Sequence, residues 1–230
     1  MNDEKIKKIN RREKETDPIR RFVEKESDKE FSPMNPPDPF NPPSLENVPF
    51  DDYHPFIQKF INEHKASLQV IENFEQNLKK IYDGGLNSTP DISKGLKMFF
   101  SFIDNKAVLH NLKEEKILFP LLQKRLLENG EHGKGKFPKT AVDNLEDDHI
   151  KLMQLTSVCF NFFALAARLT DAGSKAIVLD SALEQGKALI EFLRLHIFRE
   201  DNVAFPLAKK YISFEEFEDM NSKISQYDDY

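Results

Sequence analysis

The sequence predicts an all-α protein, an up-down-up-down antiparallel four-helix bundle with an internal duplication. Three observations carry this expectation. Four long segments, roughly 54–82, 90–129, 139–170 and 174–210, keep the apolar period of an amphipathic helix. The separators "DGGLNSTP", "NGEHGKGKFPK" and "DAG" are short and rich in helix breakers, so consecutive helices are expected to lie antiparallel. No alternating run of Val, Ile and Thr marks a strand.

The first element expected is not a helix. Residues 1–30 mix ten Lys/Arg with nine Asp/Glu, and residues 31–50 hold seven of the thirteen prolines. Such composition buries too little to offset its ordering entropy, so 1–51 is expected to be a disordered or loosely docked extension, with recruitment of a protein partner as its candidate use. The bundle is expected over 52–212. Gly84 suits the end of its first helix, and Thr89-Pro90 the start of its second. Gly173 suits the end of the third, and Asp171 with Ser174 the start of the fourth. Within 213–230, "SFEEFEDMNSKI" reads as a short amphipathic helix packed outside the bundle.

Composition narrows the function. Of the 230 residues 39% are hydrophobic, enough for a core, and 20 Phe against no Trp make that core Phe-heavy. A formal charge of −6 argues against nucleic acid as the partner. The single cysteine, Cys159, rules out an internal disulfide framework and fits a reducing compartment. No early apolar run resembles a signal peptide, and no long uncharged apolar stretch suggests a membrane span, so a cytoplasmic protein is expected.

One line of sequence is written twice. "LHNLKEEKILFPLL" at 109–122 returns as "LHIFREDNVAFPLA" at 195–208, keeping Leu, His, Glu, Phe, Pro and Leu in place. In the second helix the seam runs Ile103, Ala107, His110, Glu114, Ile117, Leu121; in the fourth it runs Leu189, Leu193, His196, Glu200, Val203, Leu207. Each His-Glu pair therefore lies on the inward stripe, stacked one turn apart. The other helices each add one histidine to such a stripe: His64 among Ile57, Ile61, Leu68 and Ile71, and His149 among Val142, Leu145 and Leu152. The offsets agree, 85 residues from His64 to His149 and 86 from both His110 to His196 and Glu114 to Glu200. Each histidine also lies a similar number of residues from the turn of its hairpin, so four imidazoles and two carboxylates are expected at one level.

A lone interior histidine is ordinarily a hydrogen-bonded core residue, and a lone His-Glu pair an ion pair. Two buried carboxylates side by side repel unless protons or cations accompany them. A pair of cations bridged by both carboxylates resolves that cost, and mixed imidazole and carboxylate donors suit iron, manganese or zinc.

The ordered set His64, His110-x-x-x-Glu114, His149, His196-x-x-x-Glu200, with "EE…LFP" and "ED…AFP" after each pair, resembles the hemerythrin-like, or HHE cation-binding, domain over about residues 52–210. The resemblance implies a four-helix bundle holding two iron ions in an oxo- or hydroxo-bridged non-haem centre, manganese or zinc being the lesser options. It carries over His64, His110, His149 and His196 as nitrogen ligands and Glu114 and Glu200 as bridging carboxylates. Oxygen-carrying hemerythrins have a further histidine four residues after the third-helix one. Here that position is Met153, so the chain resembles the bacterial and regulatory type with four His and two Glu. That type implies dioxygen, peroxide or nitric oxide as small ligands, in sensing, storage or detoxification. A di-iron enzyme turning over peroxide or nitric oxide is a second expectation, and a metal-stabilised interaction module a third.

Around these residues, Glu115 and Asp201 can orient a ligand histidine or simply face solvent. Pro120 and Pro206 each remove a backbone bond, to Lys116 and Asn202, and predict matched kinks or helix ends. Phe99, Phe102, Phe119, Phe160, Phe163, Phe198 and Phe205 are expected to fill the core, Cys159 to be a small buried hydrophobe, and His54 and His132 to serve at the surface.

Overall fold

Pro55 opens the first long helix, where a missing N–H costs nothing, and α1 (Pro55–Gly84) runs for 30 residues. The computed structural model describes residues 48–84, 90–135 and 138–228. The chain divides into Met1–Asn41 and Pro42–Tyr230, and the described residues all belong to the second unit. The expected extension over 1–51 lies outside the described residues except for its last four.

Along α1 the buried face is Phe56, Ile57, Phe60, His64, Ile71, Phe74, Leu78 and Ile81. Ile61 and Leu68, expected on this stripe, are half-buried and exposed respectively; the seam follows the bulkier Phe56 and Phe60. The second rod begins at Pro90 as expected. It is broken into α2 (Pro90–Phe102), a π-turn (Ile103–Ala107), α3 (Val108–Lys113), a second π-turn (Glu114–Leu118) and α4 (Phe119–Glu128). The third rod is one helix, α5 (Ala141–Arg168), started by a reciprocal cap in which Val142 N–H donates to Thr140 Oγ1 at 3.1 Å and Thr140 N–H to Asp143 Oδ2 at 2.7 Å. The fourth is α6 (Ala172–Arg199), a π-turn (Glu200–Ala204) and α7 (Phe205–Tyr211). Among the described residues there is no strand.

Two boundary expectations need correction. Asp171 caps α6 by accepting the Ser174 N–H at 2.7 Å, so Gly173 lies in the first turn of that helix instead of ending α5. Pro120 and Pro206 do not end their rods, the helix-end alternative, because helix continues on both sides of each. Each follows a π-turn in which Phe119 N–H reaches Glu114 O and Phe205 N–H reaches Glu200 O. The wider turn carries the chain past a residue that has no N–H to give. The π-turn at Ile103–Ala107 has no proline and no counterpart in α6, and sequence reading did not foresee it.

The first rod packs on the second, the third on the fourth, and α1 on α6. Away from the histidines the core is aromatic: Phe74 and Phe99 stack with centroids 3.7 Å apart. Gly186 lets α6 approach α1, since a Cβ there would fall 2.7 Å from Leu78 Cδ1. Phe102 is half-buried, while Phe160 and Phe198 are 51% and 60% exposed, contrary to the expected core role. Phe160 belongs to an outward apolar face of α5 with Ile150, Met153, Val158 and Leu165. By length and composition α5 alone among the described helices is apolar enough to cross a membrane, yet its inward face carries Asp148 and His149 into the bundle. Cys159 is buried and unpaired, and burial pushes its thiol up to about 12.

The expected C-terminal helix is α8 (Phe214–Asp228), which packs on α1, on α3 and on the π-turn that carries Glu114. His54 belongs to this contact and not to the surface. Its ring stacks on Phe217, meets Phe214 edge-on, and places Nε2 2.8 Å from Glu218. Its Nδ1 accepts the Phe56 N–H at 3.1 Å. His132 is half-buried in its loop and lies 2.9 Å from the Gly133 carbonyl.

Candidate metal centre

All six residues singled out by the duplication meet at one level of the bundle. Glu114 and Glu200 are fully buried, and His64, His110, His149 and His196 nearly so. Each carboxylate faces two ways. Glu114 points Oε1 to His110 Nε2 and Oε2 to His149 Nε2, both at 3.5 Å. Glu200 points Oε2 to His64 Nε2 and Oε1 to His196 Nε2, both at 3.1 Å. Two donor groups result, His64-His110-Glu114-Glu200 and Glu114-His149-His196-Glu200, in which the ligand atoms lie within 4.8 Å of one another. The glutamates belong to both groups.

The π-turns explain this placement. Glu114 and Glu200 each open one, and each stands four residues after its histidine, so one rod supplies both an imidazole and a carboxylate common to the two donor groups. Phe205 and Phe119 stack flat on His64 and His149 with centroids 5.5 and 5.7 Å apart. The repeated Phe-Pro step therefore walls each half of the cluster as well as closing its π-turn.

Around the cluster lies an outer ring of carboxylates. His64 Nδ1 is 2.8 Å from Asp201 Oδ1, and His149 Nδ1 is 2.9 Å from Glu115 Oε1, which settles for both carboxylates the choice left open in sequence. His110 Nδ1 is 2.6 Å from Glu63 Oε2, and Asp148 Oδ2 stands 3.7 Å from His196 Nδ1. Glu63 is paired with Lys113, and Asp148 with Arg199. These last four residues were missed in sequence. The signal was present: Glu63 and Asp148 are 85 apart, and Lys113 and Arg199 are 86 apart, the offsets of the ligands themselves.

The electrostatics follow from this arrangement. Burial opposes charge on His64, but Asp201 and Glu200 outweigh it and carry the imidazole up to about 10. Burial likewise opposes charge on His149, which Glu114, Glu200 and Glu115 bring to about 10, and on His196, which Glu200 and Asp148 bring to about 9. His110 is raised, against burial, by Glu114 and Glu63. Burial pushes the Glu200 carboxyl up, yet His196, His149 and His64 hold it well below the usual range. Against burial, His110 and Lys113 hold Glu63 at about 2. The carboxylates demand positive charge, and the imidazoles supply it as protons or give their lone pairs to cations that do so.

The donor set fits cations better than protons. Both oxygens of Glu114 and of Glu200, and Nε2 of His149 and His196, are buried without a hydrogen bond, although buried polar atoms are normally satisfied. His64 Nε2 and His110 Nε2 face each other at 3.0 Å. Imidazole–metal bonds of about 2.1 Å set at right angles place two donors about 3.0 Å apart, so the spacing of these nitrogens is compatible with two donors to one cation. A cavity of ≈ 50 Å³ reaches His64, His110, His196 and Glu200, with Ile71, Phe102, Ile103, Ala107 and Leu193 among its apolar walls and Met153 and Val108 exposed at its edge. Met153 thus lines the same cavity as His64, His110, His196 and Glu200.

The family profile described as hemerythrin HHE cation-binding domain matches residues 55–208, which contain every residue of the two donor groups. No curated protein and no solved structure matches the chain. With that profile covering two thirds of the chain and the duplicated His and Glu gathered inside the bundle, the chain belongs to the hemerythrin HHE cation-binding family, an all-α bundle whose domain binds metal cations.

Proposed function

We propose that the chain is a non-haem di-iron protein that binds iron and a small oxygen species, dioxygen, peroxide or nitric oxide, for sensing, storage or detoxification. One observation carries the reading: both carboxylates are shared between two imidazole pairs, with an oxygen of each turned to either side. In this reading His64 and His110 would hold one ion and His149 and His196 the other, with Glu114 and Glu200 shared between them. Two imidazoles and two carboxylate oxygens would give each ion four nitrogen and oxygen donors, a set of the kind that holds non-haem iron with coordination positions left open for exogenous ligands. A bound iron pair supplies Lewis-acidic, redox-active positions for such ligands.

The chain's own residues do the rest. Asp201, Glu63 and Glu115 accept from ring Nδ1 atoms and fix the imidazoles with Nε2 inward. Ile71, Ile103 and Leu193 keep the cavity apolar, and its ≈ 50 Å³ suits a molecule of a few atoms. A cytoplasmic setting is part of the proposal, supported by the unpaired buried thiol of Cys159. Glu114→Ala and His196→Ala should each lose most bound iron, and His132→Ala none; equal retention in all three rejects the ligand assignment. Peroxide turnover by the iron-loaded protein would favour an enzyme over a binding protein.

A further inference from the structure

Around the centre the equivalent residues differ at Glu63/Asp148, Lys113/Arg199 and Glu115/Asp201, and it is at Glu63/Asp148 that a contact to a histidine Nδ1 is made in one half and not in the other. Glu63 and Asp148 each precede a proposed ligand histidine, and each stands beside Nδ1 of the other histidine in its donor group. Glu63 uses its two oxygens separately: Oε1 pairs with Lys113, and Oε2 lies 2.6 Å from His110 Nδ1. Asp148 is one methylene shorter. It turns Oδ2 to Arg199 Nη1 at 2.5 Å, and that same oxygen remains 3.7 Å from His196 Nδ1, beyond hydrogen-bond range. His196 Nδ1 is accordingly buried without a hydrogen bond. The remaining two histidines are matched, His64 by Asp201 at 2.8 Å and His149 by Glu115 at 2.9 Å.

A carboxylate on Nδ1 fixes the tautomer and ring direction of an imidazole and makes its Nε2 a stronger donor. The pair His64-His110 has both rings held in this way, and the pair His149-His196 only one. We propose that the two cation positions are unequal, that the position between His64 and His110 fills first, and that the Glu63-versus-Asp148 difference sets this order. The inference rests on the two-cation reading above and adds the residues that rank the two positions.

Calorimetric titration of the full, metal-free chain with iron(II) under anaerobic conditions tests it. The unaltered chain should take up two ions in resolved steps. Outer carboxylates change metal affinity by about 10- to 100-fold. Asp148→Glu, which extends the carboxylate toward His196, should therefore tighten the weaker step by about tenfold and merge the two. Glu63→Asp should weaken the tighter step by about as much, and the double exchange should restore two separated steps. Two ions bound with one affinity, or steps left unmoved by both exchanges, would overturn the inference while leaving the two-cation reading intact. Fewer than two ions on the unaltered chain would overturn that reading and the inference with it.

Discussion

Glu200 belongs to both donor groups, and that sharing has a thermodynamic signature distinct from that of any histidine. Its Oε2 lies 3.1 Å from His64 Nε2 and its Oε1 3.1 Å from His196 Nε2, so Glu200→Gln removes a charged donor from both positions at once. His64→Ala removes a donor from one. A cation at a free concentration about a hundred times its dissociation constant stabilises the folded chain by about 2.7 kcal/mol, so two cations contribute about 5 kcal/mol. For a domain of this size each kcal/mol raises the melting temperature by about 2–4 °C, so full loading should raise it by about 10–20 °C. Thermal unfolding followed by helical circular dichroism, with and without metal, reads this gain within each variant and so cancels any change in metal-free stability. The unaltered chain should show the full gain, His64→Ala about half, and Glu200→Gln little. If Glu200→Gln gained as much as the unaltered chain, or lost no more than His64→Ala, the carboxylate would not bridge and the shared-ligand reasoning would fail.

Other consequences can be checked separately. Phe74→Ala empties the space under the stacked Phe99 and should cost about 3–5 kcal/mol in urea unfolding. Gly186→Val forces a side chain against Leu78 and should cost about 1–3 kcal/mol in the same assay. Ala107→Leu projects into the ≈ 50 Å³ cavity; it should keep the iron content and slow azide binding, followed by stopped-flow absorption. The thiol of Cys159 is buried and raised to about 12, so a disulfide-exchange reagent at mild pH should count no thiol in the folded chain and one after denaturation.

What the sequence revealed depended on how each signal was encoded. His64, His110, Glu114, His149, His196 and Glu200 were legible because ionisable residues interrupt apolar seams at repeated spacing, and a seam tolerates them only for a reason. Glu63, Lys113, Asp148 and Arg199 flank those seams, where charge normally means solvent, and only their matching 85- and 86-residue offsets set them apart. The π-turn at Ile103–Ala107 left no mark, since no proline enforces it. His54 misled because its partners Phe214, Phe217 and Glu218 arrive from α8 at the far end of the chain. Phe160 and Phe198 misled because aromatic character alone does not say which side of a helix a residue takes.

The central claim is that the duplicated His and Glu residues gather a pair of iron ions. Its most direct test is the metal content of the aerobically purified chain, read together with the absorption spectrum. The account predicts about two iron atoms per chain, for the two donor groups, with near-ultraviolet bands of an oxygen-bridged iron pair. One iron per chain, or a stoichiometric colourless metal in place of iron, would contradict it.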